Sequence, residues 1–179
     1  MEKWTVATCN PRQNDGAQFF LLNRSKTLVR VHKRLNYDPQ LLFKRLRDVR
    51  FPFKYTEGLE MISFTLIPRK SDCVGYYLDN KIWIDISQEG IDRVLSTFTH
   101  EIGHHVDDSE GVSKFLREER LKRAKHLHEA FSRRSDDEYL ATGFEKFYHE
   151  NFDVRRELKK MNPLLYRTIR LLHKDYKRK

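Results

Sequence analysis

The spacing of apolar residues changes part-way along the chain, and the change predicts the architecture. In the first half they tend to fall on every second position. Lys81-Ile82-Trp83-Ile84-Asp85-Ile86 alternates throughout, with three isoleucines on one face, which is the period of a half-buried strand. Leu59–Ile67, closed by Pro68, and Val74–Leu78 read as strands too, and Asp79-Asn80 between Val74–Leu78 and Lys81–Ile86 tolerates positive φ, so a tight hairpin is expected. Phe19–Leu22 and Thr27–Val31 predict a further strand pair behind the turn-rich Asn10–Gly16. One helix interrupts this half. Asp38-Pro39 supplies an N-cap with proline at the first position, Leu41, Leu42, Leu46 and Val49 form its stripe, and Phe51-Pro52-Phe53 stops it.

From residue 88 the spacing becomes helical. Ile91, Val94, Leu95, Phe98, Ile102 and Val106 make one apolar stripe. Ser87 is the candidate N-cap and Glu89 and Asp92 put negative charge in the first turn, so the helix is expected over Gln88–Asp107. A helix is expected over residues 113–131, another opens at Ser135, and a last one covers Asp153–Lys177 with a restart at Asn162-Pro163. The fold class is therefore α+β: a small mixed sheet in residues 1–87 and a helical portion in 88–179, together one domain over 1–179. No repeat, low-complexity tract or long linker divides it.

Composition narrows the setting. The chain has 179 residues, 39% of them hydrophobic and 34% charged, with no apolar run near the ~20 residues of a membrane helix. Met1–Asn10 lacks the apolar region of a signal peptide. Cys9 and Cys73 are the only cysteines, which gives no disulfide scaffold and suits a reducing compartment. A cytoplasmic monomer without a membrane partner is expected. The net charge of +9 is uneven: residues 1–70 hold 14 basic and 6 acidic side chains, residues 71–111 hold 2 and 9, and residues 153–179 hold 10 and 3. Beyond solubility, an acidic centre between basic ends would draw cationic ligands inward and anionic partners, nucleic acid among them, to the flanks. No RNP-like, finger or Gly-rich phosphate signature supports a nucleic-acid partner.

The chemistry gathers at His100-Glu101-Ile102-Gly103-His104. Residues four apart share a helix face, so His100 and His104 can aim two imidazoles at one tetrahedral metal ion, with Zn²⁺ the usual occupant at one per chain. Glu101 projects about 100° round the helix, where it can take a proton from water. Gly103 is a poor helix former, and its presence here predicts a close neighbour. The third protein ligand is Glu138 or, less readily, Glu110, since Asp107 lacks the backbone freedom of the glycine that such a turn favours. Ser135-x-x-Glu138 is also a capping box, a competing use for that carboxylate. His126 and His128 point to different faces, and His105 and His149 fit surface or supporting roles. Trp83, Ile84 and Asp85 would hold an extended peptide substrate if their strand were a sheet edge.

His100-Glu101-Ile102-Gly103-His104-His105-Val106-Asp107-Asp108, with Glu138-Tyr139-Leu140-Ala141-Thr142-Gly143-Phe144, resembles the catalytic domain of anthrax lethal factor and the related Pro-Pro endopeptidases. The likeness covers about Ile82 to Phe147. It implies a minimal zincin: a small sheet whose edge strand binds peptide above the active-site helix, Zn²⁺ on His100, His104 and Glu138, and Glu101 as general base of a metallopeptidase acting on a peptide or protein. Two positions depart from the family. Phe131 stands where a tyrosine steadies the oxyanion, and Thr142 replaces a supporting acid. Tyr139, Tyr148 or the metal alone would then serve the oxyanion, with Tyr139, Thr142 and His105 as candidates around the ligands. Rival readings are a zincin fold used as a binding module, and a nucleic-acid-associated protein.

Overall fold

The computed structural model describes residues 4–6, 17–22, 26–34, 38–67, 73–87, 90–123 and 136–178. Six strands form one mixed sheet: β1 (Trp4–Val6), β2 (Gln18–Leu22), β3 (Leu28–Val31), β4 (Met61–Thr65), β5 (Gly75–Leu78) and β6 (Lys81–Asp85), in the order β1-β2-β3-β4-β6-β5. β3 and β6 both run parallel to β4, and the remaining pairs are antiparallel. A parallel pair needs a crossover; between β3 and β4 it contains α1 (Pro39–Asp48) and a 3-10 turn (Phe53–Thr56). Asp38 caps α1 by accepting from the Gln40 amide, with Pro39 at the start of the helix as the sequence predicts. Asp79 and Asn80 take φ of 48° and 57°, the primed turn expected of the β5–β6 hairpin.

The rest of the described chain is helical: α2 (Ile91–Glu110), α3 (Val112–Arg123), α4 (Asp136–Phe147), α5 (Phe152–Met161) and α6 (Pro163–Arg178). The break at Asn162-Pro163 falls where proline must leave a turn short of a donor. Ile82 and Ile84 of β6, Ile62 and Phe64 of β4, and Phe98 and Ile102 of α2 are buried in a common core. Phe51 joins the two halves, its ring 5.5 Å from Phe98 and 5.1 Å from Tyr148, centroid to centroid. No described helix is long and apolar enough to cross a membrane.

Two expectations need correction. Ser87 is not the cap of α2: the helix begins at Ile91 behind Gly90, whose φ is 83°. Ser87 turns back instead, its amide and hydroxyl both donating to the Asp85 carboxylate at the end of β6. The strand carrying Trp83, Ile84 and Asp85 is also not an edge. The chain leaves β4, runs out to β5 and returns, so β6 is inserted between the two and paired on both sides. The edge strand at this end of the sheet is β5.

Candidate metal centre

Two close approaches fix α2 between the sheet and α4. At Gly75 of β5, an added Cβ would lie 2.5 Å from Thr97 Cγ2 and 3.1 Å from Glu101 Oε1. At Gly103 it would lie 2.6 Å from Ala141 Cα. Only a residue without a Cβ fits at either point. His100 and His104 flank Gly103 on α2, and Glu138 precedes Ala141 by one turn of α4, so the second contact brings all three side chains together.

His100 Nε2 lies 3.4 Å from Glu138 Oε2, and His104 Nε2 lies 3.5 Å from Glu138 Oε1. The three residues offer one ligand atom each within 4.8 Å of one another and could hold a metal ion. Ligand atoms bound at ~2.0–2.1 Å to a tetrahedral centre stand ~3.3 Å apart, so the spacing and the two-nitrogen, one-oxygen donor set fit such an ion. The opposite ring nitrogens also meet carboxylates. His100 Nδ1 is 3.5 Å from Glu145 Oε2, and Glu145 Oε1 accepts from Ser96 Oγ at 2.8 Å. His104 Nδ1 is 4.0 Å from Asp137 Oδ2. Carboxylates there fix the ring and its tautomer.

Burial pushes the Glu101 carboxyl up to about 7; the charge of Glu138 adds to this, while His100 and the Tyr77 amide oppose it. Burial works against a charged His100, but the hydrogen bond to Glu145 and the fields of Glu101 and Glu138 outweigh it, so its pKa lies above the ordinary value. His104 goes the other way, lowered by burial and then by the charge of His100.

A cavity of about 830 Å³ opens over these groups, walled by β5, α2 and the start of α4. Its carboxylates are Glu101, Asp107, Asp108, Asp137, Glu138 and Glu145, with Arg93 the one lysine or arginine among the described lining residues. The hairpin register pairs Leu78 with Lys81 and Tyr76 with Trp83. A two-residue loop makes the first of these a hydrogen-bonded pair, and alternation then turns the backbone groups of Gly75 and Tyr77 away from β6. The Tyr77 amide faces Glu101, while the Tyr77 hydroxyl donates to Asp108 Oδ2 at 2.7 Å.

Several expected site residues lie elsewhere. Ile84 is wholly buried, Trp83 stacks on Tyr76 with centroids 4.7 Å apart, and Asp85 holds Ser87; none lines the cavity. Tyr139 is buried with its hydroxyl against the Asn162 amide, Thr142 is buried, and the Tyr148 hydroxyl meets His173 at 2.9 Å. None of these three reaches the cavity. His105 points away from the ligand group, its Nε2 donating to the Glu57 carbonyl at 2.9 Å. Glu110 is exposed at the end of α2 and outside the donor group. Phe131, His126, His128 and Ser135 lie outside the described residues. Glu145 went unforeseen, although it follows Glu138 by seven residues, two turns on the same helix face. Comparison of the chain with family models and with curated proteins returns no match.

Proposed function

We propose that this chain is a zinc-dependent endopeptidase of the zincin type. The observation that carries the reading is the convergence of His100 Nε2 and His104 Nε2 on the two oxygens of Glu138, with Glu101 lining the same cavity. Zn²⁺ held by these three residues would polarise a peptide carbonyl and make a water acidic enough to react near neutrality. Glu101 is suited to the proton transfers because it lines the cavity beside the three donors, and in the metal-free protein burial holds its carboxyl at about 7. Its carboxylate takes a proton from water as the oxygen attacks the carbonyl carbon. It returns that proton to the amide nitrogen as the C–N bond breaks, leaving an acid and an amine.

The substrate side rests on β5. The outward amide and carbonyl of Gly75 and the outward carbonyl of Tyr77 can pair with an extended peptide and lay it over Glu101, which holds the Tyr77 amide. Glu145 holds the His100 imidazole in register, and the Asp137 carboxylate stands 4.0 Å from the outer nitrogen of His104.

Elemental analysis of the purified protein tests the site. We expect one zinc per chain, lost in His104→Ala and Glu138→Ala. Incubation with a peptide library tests the activity: cleavage by the wild type is expected, with retained zinc and no cleavage in Glu101→Gln. Cleavage by that variant at the wild-type rate would refute the assigned base, and full zinc with no turnover in the wild type would mark a binding module.

A further inference from the structure

Among the described lining residues Arg93 is the one lysine or arginine on a cavity wall otherwise rich in carboxylates. It is exposed, and no described residue forms an ion pair with it. It precedes His100 by seven residues, two helical turns, which puts it on the same face of α2 and ~10 Å along the axis. At the far end of the same face, beyond His104, stand Asp107 and Asp108. Glu145, held by Ser96 one turn after Arg93, lies toward the Arg93 end as well, so among the described residues Arg93 is a single fixed positive charge on a wall of carboxylates.

We propose that Arg93 binds a carboxylate of the substrate, so that the preferred peptide carries an anionic group about three residues to the C-terminal side of the cleaved bond. This rests on the peptidase reading and adds the substrate class. The direction follows for a peptide that pairs antiparallel to β5, the sense that β6 takes on the other side of the same strand. β5 runs alongside α2 in the same sense, since Gly75 abuts Thr97 whereas Tyr77 reaches Asp108. A peptide added antiparallel to β5 has its N-terminal residues beside Tyr77 and its C-terminal residues beside Gly75 and the start of α2. An extended chain advances ~3.3 Å per residue, so ~10 Å corresponds to three residues. Against the other charged side chains among the described lining residues, all of them carboxylates apart from the histidines, a substrate carboxylate would face like charge. Beside Arg93 it meets a planar guanidinium that can bind it through two parallel hydrogen bonds. The anion is either an aspartate or glutamate side chain or the free end of the chain.

The test profiles cleavage sites in a peptide library by mass spectrometry for the zinc-loaded wild type, Arg93→Glu and Arg93→Gln. Zinc content and thermal melts establish that each variant is folded. Binding of acidic, amidated and lysine-bearing versions of a cleaved peptide is then measured by fluorescence polarisation on Glu101→Gln, with and without the Arg93 change. The wild type should favour the anionic peptide about tenfold, the scale of one charge-assisted contact. Arg93→Gln should bring the preference to about one, and Arg93→Glu should favour lysine. Loss of affinity on amidation identifies the chain terminus as the anion, and loss on Glu→Gln identifies the side chain. Library cleavage indifferent to charge, or an anionic preference that survives Arg93→Glu, overturns the assignment of Arg93 alone. No cleavage by the zinc-loaded wild type overturns the peptidase reading and this inference with it.

Discussion

Gly103 of α2 and Ala141 of α4 meet backbone to backbone, with room between them for a hydrogen and no more: a Cβ on Gly103 would stand 2.6 Å from Ala141 Cα. That contact sets the separation of the two helices that carry the metal-binding group. Glycine inside a helix costs ~1 kcal/mol relative to alanine, so an unconstrained Gly103→Ala would stabilise. Here the clash is with backbone, which cannot rotate away, and overpacking of this kind costs ~1–3 kcal/mol. The overlap should win. A lower urea midpoint and weaker zinc retention are expected in Gly103→Ala, whereas an unchanged or raised midpoint would show that the helices part freely.

Glu145 is placed to orient His100 rather than to bind an ion. It holds Nδ1 at 3.5 Å and is itself anchored by Ser96 at 2.8 Å. Removing such a partner weakens metal binding by ~10–100-fold. Glu145→Gln should therefore lose zinc to a competing chelator that leaves the wild type loaded. Asp137→Asn should lose less, because Asp137 is 4.0 Å from His104 Nδ1 and half exposed. Equal losses in the two variants would place the effect in general charge.

What the sequence made legible was whatever depends on neighbours along the chain. The stripe from Ile91 to Val106, the Asp38-Pro39 cap and the Asp79-Asn80 turn are each fixed by a few consecutive residues. The spacing of His100 and His104 belongs with them. The edge strand was not legible, because alternation in Lys81–Ile86 says which face is buried and nothing about which strands lie beside it. The order β4-β6-β5 comes from a return of the chain that no local pattern records. Ser87 misled for a related reason: an aspartate two residues earlier captured its hydroxyl and amide before any helix could use them. Glu138 was legible as a helical carboxylate, but its meeting with the histidines depends on the distant contact at Gly103.

Metal-free protein should lose stability as pH rises through the Glu101 transition. The folded pKa is about 7 against an ordinary 4.5, mainly because the charged form is buried. A raised pKa means the folded state holds its proton more tightly, so the folded state's advantage is complete below pH ~4.5 and disappears by pH ~7. The size is about 3 kcal/mol at ~1.4 kcal/mol per unit. Denaturant titrations in chelator at pH 5 and pH 7.5 should show this decline in the wild type. In Glu101→Gln, which has no charge to bury, the decline should be smaller, leaving the part that comes from the raised pKa of His100. An equal decline in both would assign it to other groups.

Tyr77 ties the edge strand to α2, and its ionisation gives a separate test of that tie. Its hydroxyl donates to Asp108 at 2.7 Å, and burial followed by the Asp108 carboxylate pushes its pKa from 10.0 to about 12. The neutral phenol is the form the fold prefers. Its contribution is fully present below pH ~10 and is lost as pH rises through ~12. Tyr77 is half-buried against the core, so solvent screens part of the charge effect, and the hydrogen bond itself, worth about 1 kcal/mol, sets the scale at neutral pH. Tyr77→Phe should lower the urea-derived stability by about that amount at pH 8, and the gap from wild type should narrow by pH 11.5. A constant gap across that range would mean that packing of the ring, and not its hydroxyl on Asp108, holds β5 against the helix.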